Sequence, residues 1–135
     1  MKIKIGETYK KEFSISREDI RSFSEITGDM NPIHLNVDYA KKSGFKGPIA
    51  HGLLTGSVFS RILGNEFPGQ GTIYLKQELN FQSVVYPDEI LIAEIIVLEC
   101  NNKGKYRLKT IIKSKNEKEN IKITGEAVIL YNRKN

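Results

Sequence analysis

Cysteine is almost missing from this 135-residue chain. Cys100 stands alone, so no intramolecular disulfide can form and a reducing compartment suits the protein. No apolar run approaches the ~20 residues that a bilayer-crossing helix needs. The opening residues, Met1-Lys2-Ile3-Lys4-Ile5-Gly6-Glu7, lack the apolar core of a secretory leader. A cytoplasmic location with no membrane contact is therefore expected. Two histidines and one cysteine are too few for a typical structural zinc site. There is no Gly-x-Ser-x-Gly nucleophile turn. Gly64-Asn65-Glu66-Phe67-Pro68-Gly69 is not followed by Gly-Lys-Ser/Thr, so it is no phosphate loop. Repeats, low-complexity tracts and linkers are also missing, and residues 1–135 read as a single domain large enough for a real core.

The net charge is +5 and the pI about 9.3, which raises the question of an anionic partner. The basic residues are spread out and mixed with acids, as in Lys113-Ser114-Lys115-Asn116-Glu117-Lys118-Glu119. No helix-turn-helix, zinc-finger or basic-aromatic pattern accompanies them, so nucleic acid is not an expected partner. A solvated surface or a small polyphosphate ligand fits this charge.

What the chain does have is concentrated in Thr27-Gly28-Asp29-Met30-Asn31-Pro32-Ile33-His34. The proline disfavours helix at Asn31 and fixes its own φ, so Met30–Ile33 is expected to be a turn rather than helix. Such a turn aims Asp29 and His34 into one cleft. A carboxylate is a ready base at neutral pH, and an imidazole can give or take a proton. Together they supply general acid–base chemistry without a metal.

Around that turn, Ser16-Arg17-Glu18-Asp19 reads as a capping box opening a helix, with Ile20, Phe23 and Ile26 or Thr27 on one face and Gly28 as its stop. Asn36 to Lys42 predicts a second short helix. Ile49 to Leu63 is apolar or small on every side apart from Arg61, as an interior helix would be, and it starts near Gly52. The period then changes. Residues 72–81 alternate, Pro87-Asp88 marks a turn, and Glu89–Glu99, Tyr106–Ser114 and Ile121–Tyr131 are β-prone. Asn101-Asn102-Lys103-Gly104 is a hairpin connection. Four successive antiparallel strands curling around one buried helix satisfy both halves of the chain, an α+β arrangement.

Phe23 to His34, with Ala40 six positions further on, closely resembles the signature of the MaoC-like (R)-specific enoyl-CoA hydratases. Gly47-Pro48-Ile49-Ala50-His51-Gly52-Leu53-Leu54 and Pro68-Gly69-Gln70-Gly71-Thr72-Ile73-Tyr74-Leu75 resemble the short, single-domain PhaJ type of that family. The likeness is specific at the Asp–His turn and loose in the strands. It implies a hot-dog fold, an antiparallel β-sheet wrapped around a long buried central helix, and a homodimer with sheets joined edge to edge. It also implies an acyl-CoA substrate entering between protomers, no cofactor and no metal. The implied reaction is reversible hydration of trans-2-enoyl-CoA to (R)-3-hydroxyacyl-CoA.

Carried onto this sequence, the resemblance makes Asp29 and His34 the pair that holds and activates water, with Asp29 favoured as base. The backbone N–H of Gly52, at the positive end of the buried helix, is the expected oxyanion-hole donor to the thioester oxygen. Asn31 is expected to hold the turn through its amide rather than to touch the substrate. His51 is expected to fix the loop or pack behind the reacting groups. Ser60, two turns beyond Gly52, either faces the site or serves close packing. Cys100 reads as an inert, half-buried thiol. The same fold leaves an acyl-carrier-protein dehydratase, a thioesterase and a catalytically silent acyl-CoA-binding subunit as alternatives.

Overall fold

Ser16 opens the first helix with the reciprocal cap its sequence predicts. In the computed structural model, which describes residues 3–132, its hydroxyl accepts from Asp19 N at 3.0 Å and Asp19 Oδ2 accepts from Ser16 N at 2.9 Å. The first two residues of the leader reading, Met1 and Lys2, lie outside the described residues. Helix α1 (Arg17–Thr27) ends at Gly28, whose φ of +80° is a left-handed conformation that a side chain would strain. Its inward face carries Ile20, Phe23 and Ser24. Ile26 and Thr27, the two residues offered as the end of that face, are both exposed, Ile26 at 86%, because the buried stripe ends at Ser24 and the Thr27 hydroxyl donates back to Phe23 O at 2.7 Å.

The turn after Gly28 differs from expectation in its second half. Asn31 is non-helical, as a residue before proline tends to be, but Pro32 then begins a one-turn helix, α2 (Pro32–Leu35). Proline is well suited to a first helical position, where the N–H has no intrahelical partner to lose. Asn31 Oδ1 caps this turn by accepting from Ile33 N at 3.2 Å. Helix α3 (Val37–Lys42) follows, capped by Asn36 Oδ1 on Tyr39 N at 2.9 Å.

The long apolar stretch folds as α4 (Gly52–Gly56) and α5 (Val58–Asn65). Ser57 between them keeps a right-handed backbone and donates its N–H to Leu53 O, while its hydroxyl donates to Leu54 O at 2.6 Å. The helical course therefore continues through a pinched turn. Val58, Phe59, Ile62 and Leu63 point into the core, whereas Leu53, Ser57, Ser60 and Arg61 are exposed, so only one side is interior.

Among the described residues, six antiparallel strands make the sheet: β1 (Thr8–Phe13), β2 (Ile73–Gln77), β3 (Asn80–Phe81), β4 (Leu91–Cys100), β5 (Lys105–Ser114) and β6 (Ile121–Leu130). Their order is β1-β4-β5-β6-β2, with β3 also paired to β6. The last three strands form the expected meander. Residues 72–81 do not precede β4 in it; they cross to the far side of β6, and β1 takes the open edge of β4. They also split in two. A Cβ on Gly125 of β6 would lie 1.8 Å from Glu78 O, so the bare glycine lets the chain cross close over β6 at that point. Alternate residues Leu91, Ala93, Ile95 and Val97 of β4 are buried with Leu108, Ile112, Ile123, Ala127 and Ile129 against α5. Each buried Val, Leu or Ile side chain among them contributes about 1.5–3 kcal/mol, and each alanine less. Cys100 closes β4 exposed, not half-buried, since β4 runs past the end of the core.

Candidate active site

Asp29 and His34 reach one cavity of about 420 Å³, lined also by Phe23, His51, Gly52 and Phe81. The backbone holds each side chain by local bonds. Asp29 Oδ1 accepts from Asn31 N at 3.2 Å, the self-contained turn that aspartate favours, which occupies one carboxylate oxygen. His34 stands on α2 and donates Nδ1–H to Ile49 O at 2.7 Å. A carbonyl only accepts, so that nitrogen carries the hydrogen. The neutral ring then presents Nε2 with a free lone pair.

The second histidine sits directly behind the first. His51 is 3% exposed, and its ring stacks on His34 with centroids 3.8 Å apart and planes inclined by 28°. Its Nε2 lies 3.0 Å from Ser24 Oγ, and Phe23 tilts against it at 4.7 Å. Nδ1 is buried without a hydrogen-bond partner among the described residues. Burial above all, and then the neighbouring charge of His34, hold the His51 imidazole below its usual range, with Asp29 partly opposing.

Gly52 begins α4 on the same cavity, and its N–H has no acceptor among the described residues. A Cβ there would stand 2.6 Å from Phe81 Cε1, so the ring of β3 occupies the space a side chain would take. Asp29, His34, His51 and Gly52 thus come together. Asn31 spends its side chain capping α2 and is exposed. Ser60 opens on a separate groove with Gly56, Tyr74 and Leu75, away from Asp29 and His34. Two residues of the site escaped sequence reasoning. Ser24 left a faint signal, a polar residue one turn after Ile20 on an apolar face, and Phe81 left none.

Asp29, His34 and His51 offer a carboxylate oxygen and two ring nitrogens within 4.8 Å of one another, the only such group among the described residues with the ligand count for a divalent ion. Imidazole lone pairs lie in the ring plane, and two stacked rings send them side by side rather than to a common point. The arrangement therefore suits proton transfer better than chelation. No helix among the described residues is long and apolar enough to cross a membrane.

The MaoC like domain family matches residues 2–121 of the chain. The (R)-specific enoyl-CoA hydratase of Aeromonas caviae is 32% identical over 128 residues, covering 94% of this chain and 94% of that protein. A mitochondrial 3-hydroxyacyl-[acyl-carrier-protein] dehydratase of Arabidopsis thaliana is 38% identical over 131 residues, covering 95% of this chain and 77% of its own. Among solved structures, the A. caviae (R)-hydratase superposes with a TM-score of 0.90 at 31% identity, over 96% of this chain and 98% of that one. The unliganded (R)-hydratase of Pseudomonas aeruginosa gives 0.91 at 35%, over 98% and 84%. The sheet wrapped on α5 is accordingly the hot-dog fold that the resemblance implied. With one family profile running through nearly all of it, and relatives above 30% identity along their length, the chain belongs to the MaoC-like family.

Proposed function

We propose that the protein is an (R)-specific enoyl-CoA hydratase, adding water reversibly to a trans-2-enoyl-CoA to give the (R)-3-hydroxyacyl-CoA. The observation that carries this reading is the proton arrangement in the cavity. His34 commits its Nδ1–H to Ile49 O, so in the neutral ring Nε2 is the acceptor nitrogen, and it shares the cavity with the Asp29 carboxylate. One water can donate to both, which turns its oxygen lone pair toward the electrophilic β-carbon. Asp29 takes the proton as the C–O bond forms. Charge moves to the thioester oxygen, where the unpartnered Gly52 N–H donates to it, and the proton taken from the water is returned through the Asp29–His34 pair to the α-carbon, so that one water is added net and Asp29 is regenerated. This chemistry requires no cofactor.

The stereochemistry follows the relatives named (R)-specific. A second reading has its own support: the Arabidopsis relative named an acyl-carrier-protein dehydratase is 38% identical, and the same centre run in reverse is a dehydratase. The carrier, rather than the reacting groups, separates the two. A homodimer joined through β2 and a cytoplasmic location belong to the same proposal. In support of the dimer, the β2 edge leaves Ile73 57% and Leu75 48% exposed.

Crotonyl-CoA and crotonyl-carrier protein, offered to the wild type, Asp29→Asn and His34→Ala, test the reading. Hydration of the CoA ester is expected, with losses of about 10²–10⁴-fold in each variant and no loss of fold. Wild-type turnover by Asp29→Asn would remove the mechanism. Turnover of the carrier-protein ester alone would select the second reading, and thioester cleavage without hydration would discard both.

A further inference from the structure

Behind the reacting pair lies a buried polar contact that no step of the proposed reaction uses. Ser24, on α1, is 0% exposed, and the only hydrogen-bond partner of its hydroxyl among the described residues is His51 Nε2. The hydrogen of this bond has two possible homes. Placed on Nε2, it leaves the Ser24 O–H without an acceptor and the Nδ1 lone pair without a donor. Placed on Ser24, it satisfies the hydroxyl and Nε2 together, and only an Nδ1–H is left over. Buried polar groups disfavour the arrangement with more orphans.

We infer that Ser24 and His51 are a positioning pair for the proposed hydration: the Ser24 hydroxyl donates to Nε2, fixes His51 as the neutral Nδ1–H tautomer, and so makes its ring a fixed plate against which His34 is held. The inference rests on the hydratase reading, and it adds residues that act through His34 rather than on the substrate. Two constraints then set the His34 ring. The Ile49 carbonyl fixes its rotation through Nδ1, and the His51 face at 3.8 Å fixes its tilt. Without the second, Nε2 can swing about the first. A neutral plate matters as well, since a charged His51 in stacking contact would repel any proton arriving at His34.

The chain holds only two histidines, so imidazole nitrogen NMR of the labelled protein reads both rings, with His34→Ala giving the assignment. Both neutral rings are expected to carry hydrogen on Nδ1. In Ser24→Ala, His51 is expected to become a mixture of tautomers. For that variant kcat with crotonyl-CoA should fall about tenfold while KM stays within about twofold, the split that misorientation produces. A wild-type His51 protonated at Nε2 overturns the inference. So does a folded Ser24→Ala with an unchanged spectrum, or with changed tautomers and an unchanged kcat. If the wild type fails to hydrate crotonyl-CoA, the hydratase reading falls, and the spectra still decide whether Ser24 sets the His51 tautomer.

Discussion

At the scale of single residues, the proposed chemistry depends on what each polar atom is already doing. Asp29 gives one oxygen to Asn31 N and keeps the other available, and His34 gives Nδ1 to Ile49 and keeps Nε2 available. Gly52 is demanded by contact rather than by conformation. An alanine there keeps the N–H but drives a Cβ into the Phe81 ring. Gly52→Ala is expected to lower kcat/KM by about ten- to a hundredfold, with partial recovery when Phe81→Ala is added; steady-state kinetics of the two variants measures it. The Asp–His meeting was legible in the sequence because one turn contains both residues, with Pro32 enforcing the bend. The Ser24–His51 contact was not, since it joins residues 27 positions apart on elements whose packing no local pattern specifies.

At the scale of elements, caps and periodicity predicted α1 and the β4–β5–β6 meander nearly to their ends. The cap at Ser16, the stop at Gly28 and the hairpin at 101–104 are local devices. What stayed hidden depends on distant partners. The split between β2 and β3 follows from Gly125 on β6, and alternation over residues 72–81 contains no trace of it. Gly125→Ala should therefore cost more than its small size suggests, upward of about 3 kcal/mol in urea denaturation, because backbone rather than a flexible side chain stands in the way. The wall of the cavity at Val84 and Val85 has its own anchor. Lys122 Nζ, almost fully buried, donates to Val84 O at 2.8 Å and pairs with Glu89 at 3.0 Å. Lys122→Met leaves both acceptors uncompensated, and a loss of about 3–5 kcal/mol is expected in the same experiment.

At the scale of the whole molecule, two groups give stability a readable pH dependence. His51 has its folded-state affinity for protons lowered by burial and by His34. As pH falls below the ordinary histidine range near ~6.5, the unfolded chain gains a proton that the folded chain refuses, so stability declines on acidification. Glu94 adds to this at lower pH. Burial pushes its carboxyl up, but Lys113 at 3.0 Å and Lys10 at 3.5 Å outweigh burial and hold it below the usual range. Its contribution is present above the ordinary carboxylate range and is lost as pH falls through the depressed value. Urea midpoints from about pH 8 down to about pH 2 should fall in two stages, and His51→Gln should flatten the first while sparing the second. Sedimentation of the wild type is expected to give twice the 15.3 kDa chain mass, in keeping with the apolar edge of β2.

The Phe81 ring, resting where residue 52 has no side chain, makes a two-residue strand the gauge of the chamber's width. Trimming that ring would widen the room beside the Gly52 amide and leave Asp29 and His34 untouched. On the proposed hydration, bulk tolerance and bond-making sit on separate segments of the chain, so that exchanging one aromatic on the rim is expected to retune acyl shape while the turn of Asp29 and His34 is kept whole.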